Sequence, residues 1–123
     1  MSTSTINALV EKKTFTAHVY DNTIKIGEIP NCEYWKIGSL YVISIYASDF
    51  NYTFETMLQI RNLPCKNIFG GSLYIANLAD KGANYTIQGS NITSATSYAY
   101  VRPNFAGSIT SGVFSMFLVG SNL

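Results

Sequence analysis

The side chains that could do chemistry in this chain are few. His18 is the only histidine. A metal centre built on it would need Asp, Glu or Cys at ligand spacing, and no such spacing surrounds it. As the single possible base of a Ser-His-Asp triad it comes with no nucleophile motif. The seven carboxylates are Glu11, Asp21, Glu28, Glu33, Asp49, Glu55 and Asp80. A pair of them could in principle serve glycoside hydrolysis, but most stand in expected turns or on exposed strand faces, where solvation accounts for them. Gly70-Gly71 lacks the lysine and the following helix of a phosphate loop. Cys32 and Cys65 lie 33 residues apart. A disulfide needs their strand ends to meet, and the favoured reading is two small, partly buried thiols. No catalytic constellation emerges, so no enzyme and no cofactor is expected.

The aromatic residues offer binding chemistry instead. Tyr34 and Trp35 precede an apolar strand, and Tyr98, Tyr100 and Arg102 lie on or just after another, beside a polar stretch. An amphipathic ring can stack on the C–H face of a sugar while its edge stays wet, with Asp, Asn and Arg supplying hydrogen bonds. On this chemistry the candidate ligand contacts are Trp35, Asp49, Asn51, Tyr98, Tyr100 and Arg102. The competing reading makes most of these rings core or subunit contacts, with Trp35 a structural plug.

The elements that must position these groups are strands. In residues 13–20, Phe15, Ala17 and Val19 share one face, against Thr14, Thr16, His18 and Tyr20. Asp21-Asn22 signals a turn, and residues 23–29 return with Ile24 and Ile26 inward, ending at Pro30. Residues 40–47 (LYVISIYA) are apolar on both faces, as a strand covered on both sides would be. Residues 48–51 (SDFN) read as the next turn, and residues 51–60 (NYTFETMLQI) as a second long strand paired with the first. Pro64 stops that ladder, and Gly70-Gly71 permits a sharp turn. Further strands are expected at 72–78, 85–88, 97–101 and 113–119, with residues 89–96 a polar loop and 104–112 a Gly/Ser turn region. Only residues 3–11 hint at a helical period. The expected fold is all-β, an antiparallel sandwich of jelly-roll type. Residues 13–123 would form the domain and residues 1–12 a linker or shaft stump.

Composition narrows the function classes. Of 123 residues, 47% are hydrophobic and 14% aromatic, enough for one domain with a core and unlike a disordered chain. Charged residues are 12% against a usual ~25%. The surface must therefore rely on Ser, Thr, Asn and Tyr, or part of it must be covered by an oligomer. A net charge of +1 gives no footprint for nucleic acid. No stretch approaches the ~18 apolar residues of a membrane span, and the first residues do not read as a secretion signal. The triplets beginning at Asn51, Asn84 and Asn91 match the glycosylation pattern, as chance allows in a chain rich in Asn and Thr.

The run from Tyr34 to Ile43, YWKIGSLYVI, resembles a "Y-x-K-x-G-N-L-V" segment of the C-terminal head domains of phage tail-fibre, baseplate and prophage minor structural proteins. Leu63-Pro64 matches the "LP" that ends the following strand there, and residues 72–78 and Gly107-Ser108-Ile109 match later elements loosely. Ser39 stands for the usual Asn and Tyr41 for the usual Val. The resemblance implies a homotrimeric β-sandwich head at a fibre tip, carried in the virion after synthesis in the host cytoplasm. It implies adhesion to a host-surface saccharide or protein and attachment to other tail proteins. Contact residues vary among such heads, so none is carried over. The alternatives are a structural virion subunit that binds only other virion proteins, and a carbohydrate-binding module or small glycan-active enzyme.

Overall fold

The alternation of residues 14–20 is realised: Ala17 and Val19 are fully buried, while His18 and Tyr20 stay partly exposed on the other face. A computed structural model describes residues 10–78, 86–87, 92–95, 97–102 and 104–123. Of the expected linker (1–12) and helical hint (3–11), residues 1–9 lie outside these, as does the loop at 80–84, while residues 10–12 are strand. The strands are β1 (Val10–Asp21), β2 (Ile24–Ile37), β3 (Leu40–Phe54), β4 (Leu58–Arg61), β5 (Asn67–Ala76), β6 (Thr86–Ile87), β7 (Ile92–Ala95), β8 (Tyr98–Val101) and β9 (Gly107–Ser121). They form one sheet in the order β6-β5-β9-β3-β2-β1-β4-β8-β7. Every pairing is antiparallel. The sheet curls until β5 and β7, near its opposite ends, come together, and the Ser97 N–H donates to the Lys66 carbonyl across that approach at 2.7 Å. The all-β expectation holds, in the form of an antiparallel sheet nearly closed into a barrel.

Two tight hairpins begin the sheet. Asn22, at φ 56°, and Thr23 link β1 to β2, with Asp21 opposite Ile24. Gly38, at φ 62°, and Ser39 link β2 to β3, with Ile37 opposite Leu40. Glycine at the first central position suits the twist of a two-residue hairpin. Ile24 was expected to face inward, but it sits at the hairpin tip and is 66% exposed.

The largest correction concerns residues 40–60. They are not two paired strands around a turn at 48–51. Residues 40–54 are one strand, β3, paired along its length with β9. Tyr41, Ile43 and Ile45 face inward, then Phe50 and Phe54 do, so the inward phase slips between Ala47 and Phe50. One extra residue in β3 produces that slip, and a compensating extra residue in β9 follows between Phe50 and Tyr52. Polar residues at 48–51 bulge the strand without reversing it. Bulges explain three other misreadings. β2 runs through Pro30 with an irregular register against β1 between Phe15 and Ala17, where a missing N–H is tolerated. Gly70-Gly71 lies inside β5, beside a bulge at Phe69, and a Cβ on Gly71 would strike the Phe117 backbone. Residues 107–112 belong to β9, whose own irregularity lies between Ile109 and Gly112. Separately from the bulges, residues 92–95 form β7 within the expected polar loop.

The barrel interior is aromatic at one end and aliphatic along its length. Phe50 stacks on Phe114 at 4.6 Å between centroids, and Phe54 meets Phe105 edge-on at 5.9 Å. Ile43, Ile45, Leu58, Ile60, Leu73, Ile75, Met116 and Leu118 fill the remainder, each almost fully buried. Cys32 and Cys65 are both buried free thiols, and burial raises both above the usual thiol range.

Two side-chain devices close the barrel. Asp21 accepts hydrogen bonds from the backbone N–H groups of Glu55, Thr56 and Met57 at 2.8–3.0 Å. Asn62 donates to the Thr16 carbonyl at 2.8 Å, beside the β1 irregularity. Together they hold both ends of β4 to β1. Burial works against ionisation of Asp21, but the donors at Met57, Glu55 and Thr56 outweigh it, so its carboxyl lies below the ordinary range. Asp21→Ala should therefore lower the unfolding free energy by about 1–3 kcal/mol, read by urea unfolding with Trp35 fluorescence. Because the folded pKa is depressed, this contribution is present above the unfolded pKa and fades as pH falls through the folded one. The gap between wild type and variant should narrow below about pH 4. A gap unchanged at about pH 2 would mean that the carboxylate charge contributes nothing.

Candidate functional site

The strand order sets β1, β4 and β8 side by side, so their outward side chains form one surface. Tyr20 pairs with Gln59 and Gln59 with Tyr100; one row along, His18 pairs with Arg61. The inward residues between them, Val19, Ile60 and Ala99, are completely buried. The outward face is thus fixed on a rigid part of the core.

On that face Arg61 lies between two tyrosines. Its guanidinium carbon is 4.5 Å from the Tyr20 ring centroid and 4.7 Å from that of Tyr98. Its Nε and Nη2 donate to Gln59 Oε1 at 3.0 and 2.7 Å, and Nη2 also donates to the Asn22 carbonyl at 3.1 Å. Gln59 is itself only 5% exposed, and its amide N–H is directed at the Met57 sulfur at 3.1 Å. The ribbon continues through Tyr98 and Tyr100, whose centroids are 5.7 Å apart, to Arg102. Arg102 lies 5.0 Å over the Tyr100 ring and donates to its hydroxyl at 3.2 Å. Tyr20, Tyr98 and Tyr100 remain partly exposed and Arg102 is exposed. The result is an outward-facing strip of three rings and two guanidiniums, locked by hydrogen bonds beneath. Such a strip can stack on the apolar face of a ligand while donating from its edges.

Of the six candidate residues, the structure brings Tyr98, Tyr100 and Arg102 together here. Asp49 and Asn51 lie elsewhere, at the β3 bulge. Asn51 donates to the Asp49 carboxylate at 2.8 Å and accepts from the Ser111 N–H at 2.6 Å, so its amide bridges the bulged strands β3 and β9. Trp35 lies within β2, opposite Lys12 and Val42, with the Lys12 ammonium 5.8 Å from its ring. It is half-buried and belongs to neither group. Tyr20, Gln59 and Arg61 were missed as site residues. The outward phase of Tyr20 was readable, but nothing local joins it to residues some forty or eighty positions away.

Other polar groupings are engaged structurally. Glu28 meets Lys25 and His18, and Lys12 meets Glu33. A cleft of about 360 Å³ at the β2–β3 turn is lined by Lys36, Gly38, Ser39, Tyr41, Asn122 and Leu123. Its main polar groups are paired with the protein: Asn122 donates to the Tyr41 hydroxyl at 3.1 Å and accepts from the Lys66 N–H at 2.8 Å. Among the described residues no three His, Cys, Asp or Glu gather as metal ligands would.

The ribbon's geometry makes Arg61 its organising residue. Arg61→Ala should lower stability by about 2–3 kcal/mol, through lost charge-assisted hydrogen bonds and ring contacts. Arg61→Lys should recover less than half of this, because an ammonium neither forks onto Gln59 nor lies flat between rings. Urea unfolding of both variants tests the point, and a lysine variant as stable as wild type would refute it. Compared with known proteins, the chain matches no family model, no curated protein and no solved structure.

Proposed function

We propose that this protein is a non-enzymatic receptor-binding head of a phage tail or prophage particle, recognising a host-surface saccharide or protein. The observation that carries the reading is the Tyr20–Arg61–Tyr98–Tyr100–Arg102 ribbon. It is a wet aromatic surface held rigid from below, which suits repeated, shallow recognition. In this reading the curled sheet is the sandwich-like head implied by the resemblance of residues 34–43, and the head assembles as a homotrimer on other tail proteins. Several weak sites on one particle then add by avidity.

A second outward face supports the assembly. Tyr46 and Tyr74 flank Ser115 in one cross-strand row, and Phe117 lies between Ser44 and Ser72 in the next. Tyr46, Phe117 and Tyr74 are 58%, 46% and 41% exposed, and neighbouring Phe69 is 63% exposed. These rows carry no charged residue on β3, β9 or β5, and an apolar surface of this kind favours burial against a protein. The same face favours a second reading, a structural virion subunit whose partners are proteins alone. A glycan-active enzyme is the weakest reading, since Asp21 is bound to backbone and Glu28 and Glu33 meet lysines.

Host-cell adsorption and glycan arrays separate these readings. Tyr98→Ala and Tyr100→Ala should each weaken cell binding roughly tenfold, the loss of about one ring-stacking contribution, while light scattering still reports a trimer. Firm binding to other virion proteins without any cell or glycan binding would overturn the adhesin reading in favour of the structural one.

A further inference from the structure

The ribbon holds two guanidiniums, and neither has a carboxylate within ion-pair distance among the described residues. The ion pairs of the described surface are Lys12–Glu33, Lys25–Glu28 and His18–Glu28; the last ends at His18, the cross-strand neighbour of Arg61, and includes neither guanidinium. Asp21, the acid next to Tyr20 in sequence, directs both carboxylate oxygens to the backbone of residues 55–57. The two guanidiniums are therefore left without a carboxylate partner among the described residues.

The two arginines differ in what they leave free. Arg61 has rings on both sides, and its Nε and Nη2 already serve Gln59 and Asn22. Its plane is covered by the Tyr20 and Tyr98 rings, and only its Nη1 donors remain without an acceptor among the described residues. Arg102 is exposed and makes one described hydrogen bond, to the Tyr100 hydroxyl. The rest of its planar fork of N–H donors has no acceptor among the described residues, and such a fork takes a carboxylate or phosphate through two parallel bonds. Because Tyr100 accepts from Arg102, its own hydroxyl hydrogen is left to donate to the same anion. Tyr98 and Tyr100 lie alongside, with ring surface for a sugar.

We propose that the ribbon takes an acidic saccharide, its anionic oxygens held by the outward edge of Arg102 and the Tyr100 hydroxyl, with a sugar ring over the Tyr98–Tyr100 pair. This rests on the reading of the ribbon as the binding face. A neutral glycan would make the ring contacts but leave the guanidinium fork without a partner. The ligand anion is a carboxylate or a phosphate ester, since both fit the same fork.

The test measures binding of the full chain to immobilised mannan, phosphomannan and polygalacturonate. The neutral mannan is the control for phosphomannan, and the two acidic polymers distinguish phosphate from carboxylate. At least one acidic polymer should bind about tenfold or more tightly than mannan. Its advantage should shrink as salt rises from about 50 mM to about 500 mM. Arg102→Gln should remove the advantage and Arg102→Lys should keep part of it, with both unfolding at the wild-type urea midpoint. Equal binding of acidic and neutral polymers, or an Arg102→Gln variant with its preference intact, overturns the acidic-ligand proposal. If Tyr98→Ala still abolishes mannan binding in that case, the ribbon stands as a neutral glycan site. Absence of binding to all three polymers, with cell adsorption unchanged by Tyr98→Ala, overturns both this proposal and the adhesin reading.

Discussion

The fold depends on carrying the chain from β3 to the far side of β1. β3 is interior to the sheet, between β2 and β9, yet the next strand, β4, pairs with β1 beyond β2. The crossing takes only residues 55–57, at the end where β1 turns into β2. A segment so short cannot supply its own hydrogen-bond partners, and unpaired backbone groups there would oppose the crossing. The Asp21 carboxylate meets that need by accepting from all three N–H groups, while the Asn22 N–H donates to the Met57 carbonyl. Asn62 answers the same need at the other end of β4. Once β4 is fixed to β1, β8 can pair with β4 and β7 with β8, and the sheet curls toward β5.

The geometry of the ribbon follows from that closure. Tyr20, Arg61 and Tyr98 belong to three strands that are distant in sequence, and only the β1-β4-β8 order makes them neighbours. Arg61 also reaches the Asn22 carbonyl, so the ribbon and the turn that secures the crossing share a hydrogen-bond network. Gln59 is the buried pivot between them, directed outward from a sheet whose inner face at Leu58 and Ile60 is closed to solvent. The site is therefore built on strand backbone, which holds planar groups in register more firmly than a loop would.

What was legible in the residues was the local alternation. The faces of residues 14–20, the turn at Asp21-Asn22 and the apolar closing strand at 113–119 all follow from period 2, which a pleated backbone imposes directly. What failed was the distinction between a bulge and a turn. Ser48, Asp49 and Asn51 are turn formers, but here Asn51 spends its amide on Asp49 and on the backbone of β9, and β3 runs on. Pro30 and Gly70-Gly71 misled for the same reason: each is an ordinary signal of chain reversal, and each is also what an irregular strand uses. The phase slip from Ala47 to Phe50 is the one local sign that separates the two, because a bulge shifts the inward set by one residue and preserves direction. Strand order was not legible at all, since nothing in residues 18–20 marks 59–61 as their neighbours. Tyr98, Tyr100 and Arg102 could be grouped because they are close in sequence; Tyr20 and Arg61, their neighbours in the fold, could not because they are distant in it.

The two outward faces of the sheet differ in a way that low charge alone does not require. Around β1, β4 and β8 the rings are interleaved with arginines and fixed by side-chain hydrogen bonds, so their polar edges stay hydrated and their rotamers are already restricted. Ordering such a surface on contact costs little further side-chain entropy, which favours small ligands with few contacts. Around β3, β9 and β5 the rings of Tyr46, Phe117 and Tyr74 alternate with serines, with no cation over them among the described residues. That surface gains most from complete removal of water over a wide area, which a protein partner supplies and a short saccharide does not. One curled sheet thus presents two chemically distinct exteriors, and the direction of Arg61 and Arg102 to only one of them is what, in the proposed function, separates a site for recognition from a face for assembly.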